Sequence, residues 1–422
     1  MKFFFPDSQD QIDPGFNFET EEKSEMRVRQ RDDLYIHEVL GSEVIDGLLV
    51  SKAIVDGRAG AAGKYTLAQR HRLYRVGIRK FFRLEKMPPD FRTMGDCGAF
   101  SYFGEEEPPY SVDEVIDFYG ECDFDLGIAP DHIVFGFAPD DNAPPEKLQE
   151  WKRRQELTIC LAADFRSRCA EREVRFTPMA VAHGWSPRSY AESVAALQEV
   201  GYNRIALGGM VPLKTHEIVS SLKGIATVRK RETQLHLLGI MREEAIVEFD
   251  DLGVTSFDST SAFRQSFKDD RDNYHTTGRS YTAIRVPQVE GNAKVKKAIG
   301  AGRVRQEDAV RLERECLAGL RKYDESGTGQ DRILDLLAEY SELVSSPSAE
   351  GGRAKSRKGY AEAYGQTLED APWKKCDCLI CRDVGINVII FRGSERNKRR
   401  GFHNIYAFRQ RIDLELHAGG SS

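Results

Sequence analysis

Three cysteines stand within six positions of the segment KKCDCLICRDVG: Cys376, Cys378 and Cys381. Thiolates crowded in this way suit a metal, and a closed structural site wants four soft or borderline donors in a tetrahedron. The next histidine, His403, completes the pattern C-x-C-x2-C-x21-H, with the apolar run INVIIF (386–391) read as a strand that brings the chain back. The expected ion is one structural Zn2+ per chain with no open position for water, so catalysis must be sought elsewhere. A second set of residues offers it. Asp96, Asp131, His183, the pair Gly208 and Gly209, and Asp258 each close a short apolar run. An aspartate in such a place is often only a turn or cap residue, but five such positions on one rim would make a site.

The elements that must position these residues alternate in kind. Apolar runs at 47–55, 91–96, 124–131, 174–183, 204–209, 235–240 and 254–259 read as strands. Helical patterns lie between them, at 146–171 and 186–201 for example. The latter shows Ser189 as a cap, Val194, Leu197 and Val200 on one face, and Gly201 as its stop. Strict alternation implies parallel strands joined by crossovers. Seven or eight such units fit an α/β fold of the (β/α)8 TIM-barrel type, although an open doubly wound sheet shares the local grammar. In a barrel the C-terminal strand ends ring one mouth, where active sites are built. The expected organisation is an N-terminal extension (1–44), a catalytic barrel (45–286), a charged helical insertion (287–372), and a zinc-binding subdomain with a C-terminal helix (373–422).

Composition sets the outer limits. With 422 residues, 40% hydrophobic and 30% charged, the chain is long enough for one large domain with additions. It contains no run of eighteen apolar residues, its start reads unlike a secretory signal, and its five other cysteines are isolated. A soluble cytoplasmic protein in a reducing compartment is expected. The net charge of −6 neither favours nor excludes nucleic acid, because phosphate binding needs a local basic surface. The segment RGSERNKRRGFH, with Arg396, Lys398, Arg399 and Arg400, reads as such a surface.

Several motifs, in their order, resemble those of the tRNA-guanine transglycosylase superfamily. GDCGAFSYF (95–103) is similar to that family's D-S-G-G-F-Q motif, IALGGM (205–210) to its base-binding loop, and GVTSFDSTSAFR (253–264) to the strand that carries its aspartate nucleophile. PDH (130–132) stands where the family has a base-recognising aspartate, and the cysteine cluster with FHN (402–404) is similar to its zinc subdomain. The resemblance covers about residues 45–410. Departures fall on the nucleic-acid grip. His183 takes a glutamine position, STSAFRQSFKDDR keeps only Arg264 of a basic signature, and the insertion at 287–372 is extra. These changes resemble the branch that places a 7-deazaguanine base in DNA.

The resemblance implies a chemistry. Asp258 would attack C1′ as nucleophile and Asp96 would carry the proton, as guanine leaves and a base of the preQ0 type enters through a covalent aspartyl-sugar intermediate. Asp131, His183, Gly208, Gly209, Met210 and Phe100 would bind the base; Arg264, Arg396, Lys398, Arg399 and Arg400 would contact phosphates. Double-stranded DNA is the expected polymer, the target nucleotide must leave the duplex, and a partner protein that opens or selects DNA fits that demand. Two rival readings are base exchange in tRNA, of the queuosine or archaeosine type, and a non-catalytic nucleic-acid-binding zinc subunit.

Overall fold

Eight parallel strands close into a barrel in chain order: β1 (Lys2–Pro6), β2 (Gly47–Ser51), β3 (Arg92–Asp96), β4 (Leu126–Ile128), β5 (Thr177–Ala182), β6 (Arg204–Leu207), β7 (Gln234–Leu237) and β8 (Val254–Asp258). The protein is seen in a computed structural model that describes residues 1–57, 62–140, 142–240, 242–344 and 350–419. Two compact units make it up. The first comprises residues 1–10, 45–260 and 412–422, and the second residues 11–44 and 261–411.

In the first unit the barrel interior is filled by Phe4, Leu49, Met94, Leu126, Ile128, Met179, Val181 and Ala206. These are alternate residues of their strands, the period expected where one face points inward. The closing strand is β1, which pairs with β2 on one side and with β8 on the other, Phe4 standing opposite Asp258. Its run Phe3, Phe4, Phe5 is buried throughout, as a strand covered on both faces requires. The barrel therefore begins at residue 2, within the stretch read from the sequence as an extension. Three local readings also shift. The run at 47–55 is a strand only to Ser51, and Lys52–Val55 turns into helix. Ser186, not Ser189, is the N-cap of helix Pro187–Val200; its Oγ accepts from the Ser189 N–H at 3.1 Å. Gly201 does end that helix, with a left-handed φ of 102°.

The second unit holds the insertion and the cysteine cluster. The insertion is helical: Ala293–Gly300, Gln306–Ser326, Gln330–Val344 and Glu350–Asp370. The run INVIIF is mostly a 3-10 turn, Gly385–Ile389, with strand only at Ile390–Phe391. His403 lies in the long helix Gly393–Gly419, which also contains the basic segment.

That segment is not a solvent-facing phosphate grip. Arg396, Arg399 and Arg400 are buried, and their guanidinium groups are spent inside the unit. Arg396 Nη2 donates to Phe18 O at 2.9 Å, its Nη1 pairs with Glu21, and its Cζ lies 5.1 Å from the centre of the Phe18 ring. Arg399 Nη1 donates to Glu395 Oε2 at 2.8 Å. Among the described residues Arg400 has no carboxylate partner; it donates to Val388 O at 3.1 Å, to Ile390 O at 3.3 Å, to Asn397 Oδ1 at 2.6 Å and to Ser266 O. Half-buried Lys398 gives its Nζ to Gln11 O at 2.7 Å. A buried guanidinium needs such partners because desolvation otherwise makes it too costly. The same desolvation pulls the Arg400 guanidinium below its ordinary value. Arg264, on helix Ser261–Lys268, is half-buried.

Arg400 thus ties together three carbonyl groups, those of Ser266, Val388 and Ile390. Replacing it (Arg400→Met) leaves those acceptors dry and is expected to cost about 3 kcal/mol, read as a lower midpoint in chemical denaturation. An unchanged midpoint would show that the buried network contributes no stability.

Candidate active site

All the rim residues named from the sequence lie in the first unit, and the barrel order brings them to one end. Asp96 is the last residue of β3 and Asp258 the last of β8; Asp131 follows β4, His183 follows β5, and Gly208 and Gly209 follow β6. Parallel register does this, since every strand runs the same way and ends at the same mouth.

Asp258 is buried and held at one oxygen. Its Oδ1 accepts from the Gly239 N–H at 3.0 Å and lies 3.2 Å from His236 Nε2. The other ring nitrogen, Nδ1, is 2.9 Å from Ser256 Oγ. With the Ser256 hydroxyl donating to Nδ1, the ring presents an Nε2–H to the carboxylate and fixes its direction. His236 points into the barrel, edge-on to Phe4 with ring centres 5.7 Å apart. Neither His236 nor Gly239 was picked out from the sequence. The signal was there: in the run LHLLG, His236 is the polar residue among apolar ones, on the inward phase.

Asp131 is bracketed in the same manner. His183 Nε2 lies 2.7 Å from its Oδ2, and the Cys97 thiol donates to its Oδ1 at 3.1 Å. Cys97 stays a thiol because burial and the charges of Asp131 and Asp96 push it well up. Each Asp131 oxygen keeps a second lone pair for a ligand donor. The His183 ring needs the space beside it. A Cβ on Gly208 would lie 2.3 Å from the ring, and one on Gly209, whose φ is 76°, would lie 2.4 Å from Val134 O. The two glycines are therefore required by close approach. The Gly208 N–H is already given to Ala182 O at 3.0 Å, and its carbonyl accepts from the Tyr190 hydroxyl at 2.9 Å.

Asp96 is the unusual carboxyl. Burial first, then the charges of Asp131 and Asp258, raise it to about 7. It stands opposite Ser51 in the β2–β3 register. Met210 is fully buried, whereas Phe100 is 64% exposed and meets Phe135 edge-on at 5.7 Å and Phe103 at 6.3 Å. A sixth rim group was hidden with β1. Asp7 follows that strand, is buried, accepts from the Tyr65 hydroxyl at 2.8 Å, and is raised by burial to about 6.

The cysteine cluster of the second unit is assembled as its spacing suggested. The sulfurs of Cys376, Cys378 and Cys381 lie 3.5, 3.4 and 3.3 Å from His403 Nδ1, and all four donor atoms fall within 4.8 Å of one another. These separations are those of a tetrahedral ion with metal–sulfur and metal–nitrogen distances near 2.3 and 2.0 Å, for which sulfur and nitrogen stand roughly 3.5 Å apart. His403 Nε2 donates to His275 O at 2.7 Å, which leaves Nδ1 its lone pair. Stacking on Tyr274, with ring centres 4.0 Å apart, fixes the imidazole plane. The donor set fits a metal ion.

No family model matches the chain. A curated protein of Salmonella montevideo, named DNA-guanine transglycosylase, is 48% identical over 418 residues, covering 99% of this chain and 97% of that protein. An identity of this size over nearly the whole of both chains carries fold and reaction class together, so the chain belongs to the DNA-guanine transglycosylases and is a transglycosylase of the pentosyltransferase class.

Proposed function

We propose that the protein exchanges guanine in DNA for a 7-deazaguanine base by double displacement at C1′, with Asp258 as nucleophile and Asp96 as the single proton carrier. The observation that carries this reading is the pair of contrasting carboxyls at the mouth: Asp258, oriented by His236 and the Gly239 N–H, and Asp96, raised to about 7. In the first step an Asp258 oxygen bonds to C1′ as the C1′–N9 bond breaks; the electron pair goes to guanine, which takes a proton from Asp96. In the second, the incoming base gives its N9 proton to the Asp96 carboxylate, N9 bonds to C1′, and Asp258 leaves as a carboxylate. Two inversions give net retention, and no energy source is needed.

The base is held by acceptor and donor groups on the neighbouring strand ends. Asp131 accepts from the guanine-type N1–H and exocyclic amine. Among the described residues the Gly209 N–H has no partner, so it is the backbone donor for O6, while His183 orients Asp131 rather than serving the base directly. Buried Met210 forms one wall. Phe100, given its exposure, acts at the entrance. Cys376, Cys378, Cys381 and His403 would hold one Zn2+, which supplies a structural cross-link and takes no part in the reaction. No helix among the described residues is long and apolar enough to cross a membrane. We place the enzyme with its DNA in the cytoplasm.

Three outcomes test this reading. Asp258→Ala and Asp258→Asn should lose at least about a thousandfold of the exchange of labelled guanine in plasmid DNA, while wild type gives a protein–DNA species that survives denaturation. Substantial activity in either variant, or exchange into tRNA and not DNA, would reject it. Asp96 offers a pH test. Its folded pKa lies above that of the unfolded chain, so its stabilising share is complete below the ordinary carboxylate value and is lost as pH rises through about 7. Asp96→Asn should therefore be more stable than wild type by a few kcal/mol near pH 8, at about 1.4 kcal/mol per unit, and no more stable near pH 3.5. Guanine release by wild type should fall over the same rise; a flat profile through pH 7 would take the proton carrier away from Asp96. Finally, Cys378→Ala should cost the protein its bound zinc and lower its melting temperature. Full folding without metal would make the ion dispensable.

A further inference from the structure

With Arg396, Arg399 and Arg400 buried, the grip on the polymer must lie elsewhere, and we propose that helix Ala293–Gly300 and the loop after it form a phosphate-binding surface for duplex DNA, built from Lys294, Lys296, Lys297 and Arg303. The proposal rests on the reading of DNA as the polymer substrate and adds where the second unit would hold it.

The segment from 291 to 306, GNAKVKKAIGAGRVRQ, contains five cations and no acid, in a chain whose net charge is −6. Lys294, Lys296, Lys297 and Arg303 are exposed, and none has an ion pair among the described residues. Arg305, the fifth, is spoken for, 2.9 Å from Glu307. The helix is amphipathic: Val295 and Ala298 are buried, so the lysines occupy the outward face.

The charge of its first turn is also wrong for stability, although Lys297 stands favourably in its last. Anions favour the first turn of a helix and cations the last, because unpaired N–H groups make the N-terminus positive. The next helix, Gln306–Ser326, obeys this with Glu307 and Asp308 in its first turn. Helix Ala293–Gly300 has no acid there and places Lys294 at its second residue, with Asn292 as the neutral cap that accepts from the Lys294 N–H at 2.9 Å. Like charges at neighbouring helical positions repel as well. A local conflict of this sort, carried without a folded-state partner, marks a surface shaped for an external polyanion. Asn292, at the start of the helix, also lines a groove of about 520 Å³ together with Gln288, Lys398, Asn397 and Arg285.

The test replaces the four cations together, as Lys294→Gln, Lys296→Gln, Lys297→Gln and Arg303→Gln in the full-length protein, with a matched variant carrying Lys→Arg at the three lysines. Binding of a labelled random-sequence duplex is followed by anisotropy at stepped KCl concentrations. The quadruple variant should keep wild-type circular dichroism and zinc content yet bind at least about tenfold more weakly, with the slope of log K against log[salt] shallower by about 3; the arginine variant should bind as wild type does. Unchanged affinity and slope in the quadruple variant, an equal loss in the arginine variant, or a salt-sensitive loss seen with a tRNA transcript but not with duplex would each overturn the proposal. The covalent protein–DNA species formed by wild type reports on the exchange reaction separately, so failure of this surface would leave that reading standing.

Discussion

Four carboxyl groups, those of Asp7, Asp96, Asp131 and Asp258, end or follow strands at the mouth of one barrel, and the cost of burying charge among them is the constraint around which the site is organised. Water would screen such charges, but Asp131 and Asp258 are buried, and the field they create falls on Asp96. Each of the two buried groups has an imidazole beside it, His183 for Asp131 and His236 for Asp258. Asp96 has none among the described residues, and in the proposed mechanism it is the group that carries the proton. Burial first, and then the charges of Asp131 and Asp258, raise Asp96 to about 7, close to neutrality. Nothing in the carboxyls themselves distinguishes them. Their neighbours do.

The second unit solves a different problem with related means. Its long helix brings a row of arginines into the interior, where carbonyl oxygens and the carboxylates of Glu21 and Glu395 receive them. Residues 11–44 provide many of these acceptors, among them Phe18 O and Gln11 O, which explains why a stretch with little regular structure belongs to that compact unit. The same helix delivers His403 to the three cysteines. Metal donors and buried ion pairs therefore share one rigid element, and each limits the freedom of the other.

Much of this was legible in the residues. The alternation of strand and helix, the order of the rim groups and the spacing of the four metal donors are local patterns, and local patterns survive in a linear reading. What was missed depended on distance or burial. The strand β1 is only five residues long and lies far in sequence from both of its partners, so no neighbouring repeat marked it as part of the barrel. His236 is an ordinary strand residue until β8 places Asp258 beside it. The basic segment misled for the opposite reason: a run of arginines looks solvated in one dimension, and acceptors distant in sequence, at residues 11–44, 266 and 388–390, turn it inward. Charge by itself does not tell which side of a helix faces water.

The pairing of Phe4 with Asp258 has a consequence for how the molecule comes to exist. The first strand emerges from the ribosome long before the last, and at ordinary synthesis rates of about 5–20 residues per second the interval is on the order of tens of seconds. Throughout that time Phe3 lacks its stacking partner Phe257, and β1 lacks one of its two neighbouring strands. Closure of the cylinder is a late, long-range event of the kind that folds slowly and needs shielding from neighbours. Asp258 lies on the last strand that seals the cylinder, so the mouth of a nascent chain is incomplete until its last stave is in place.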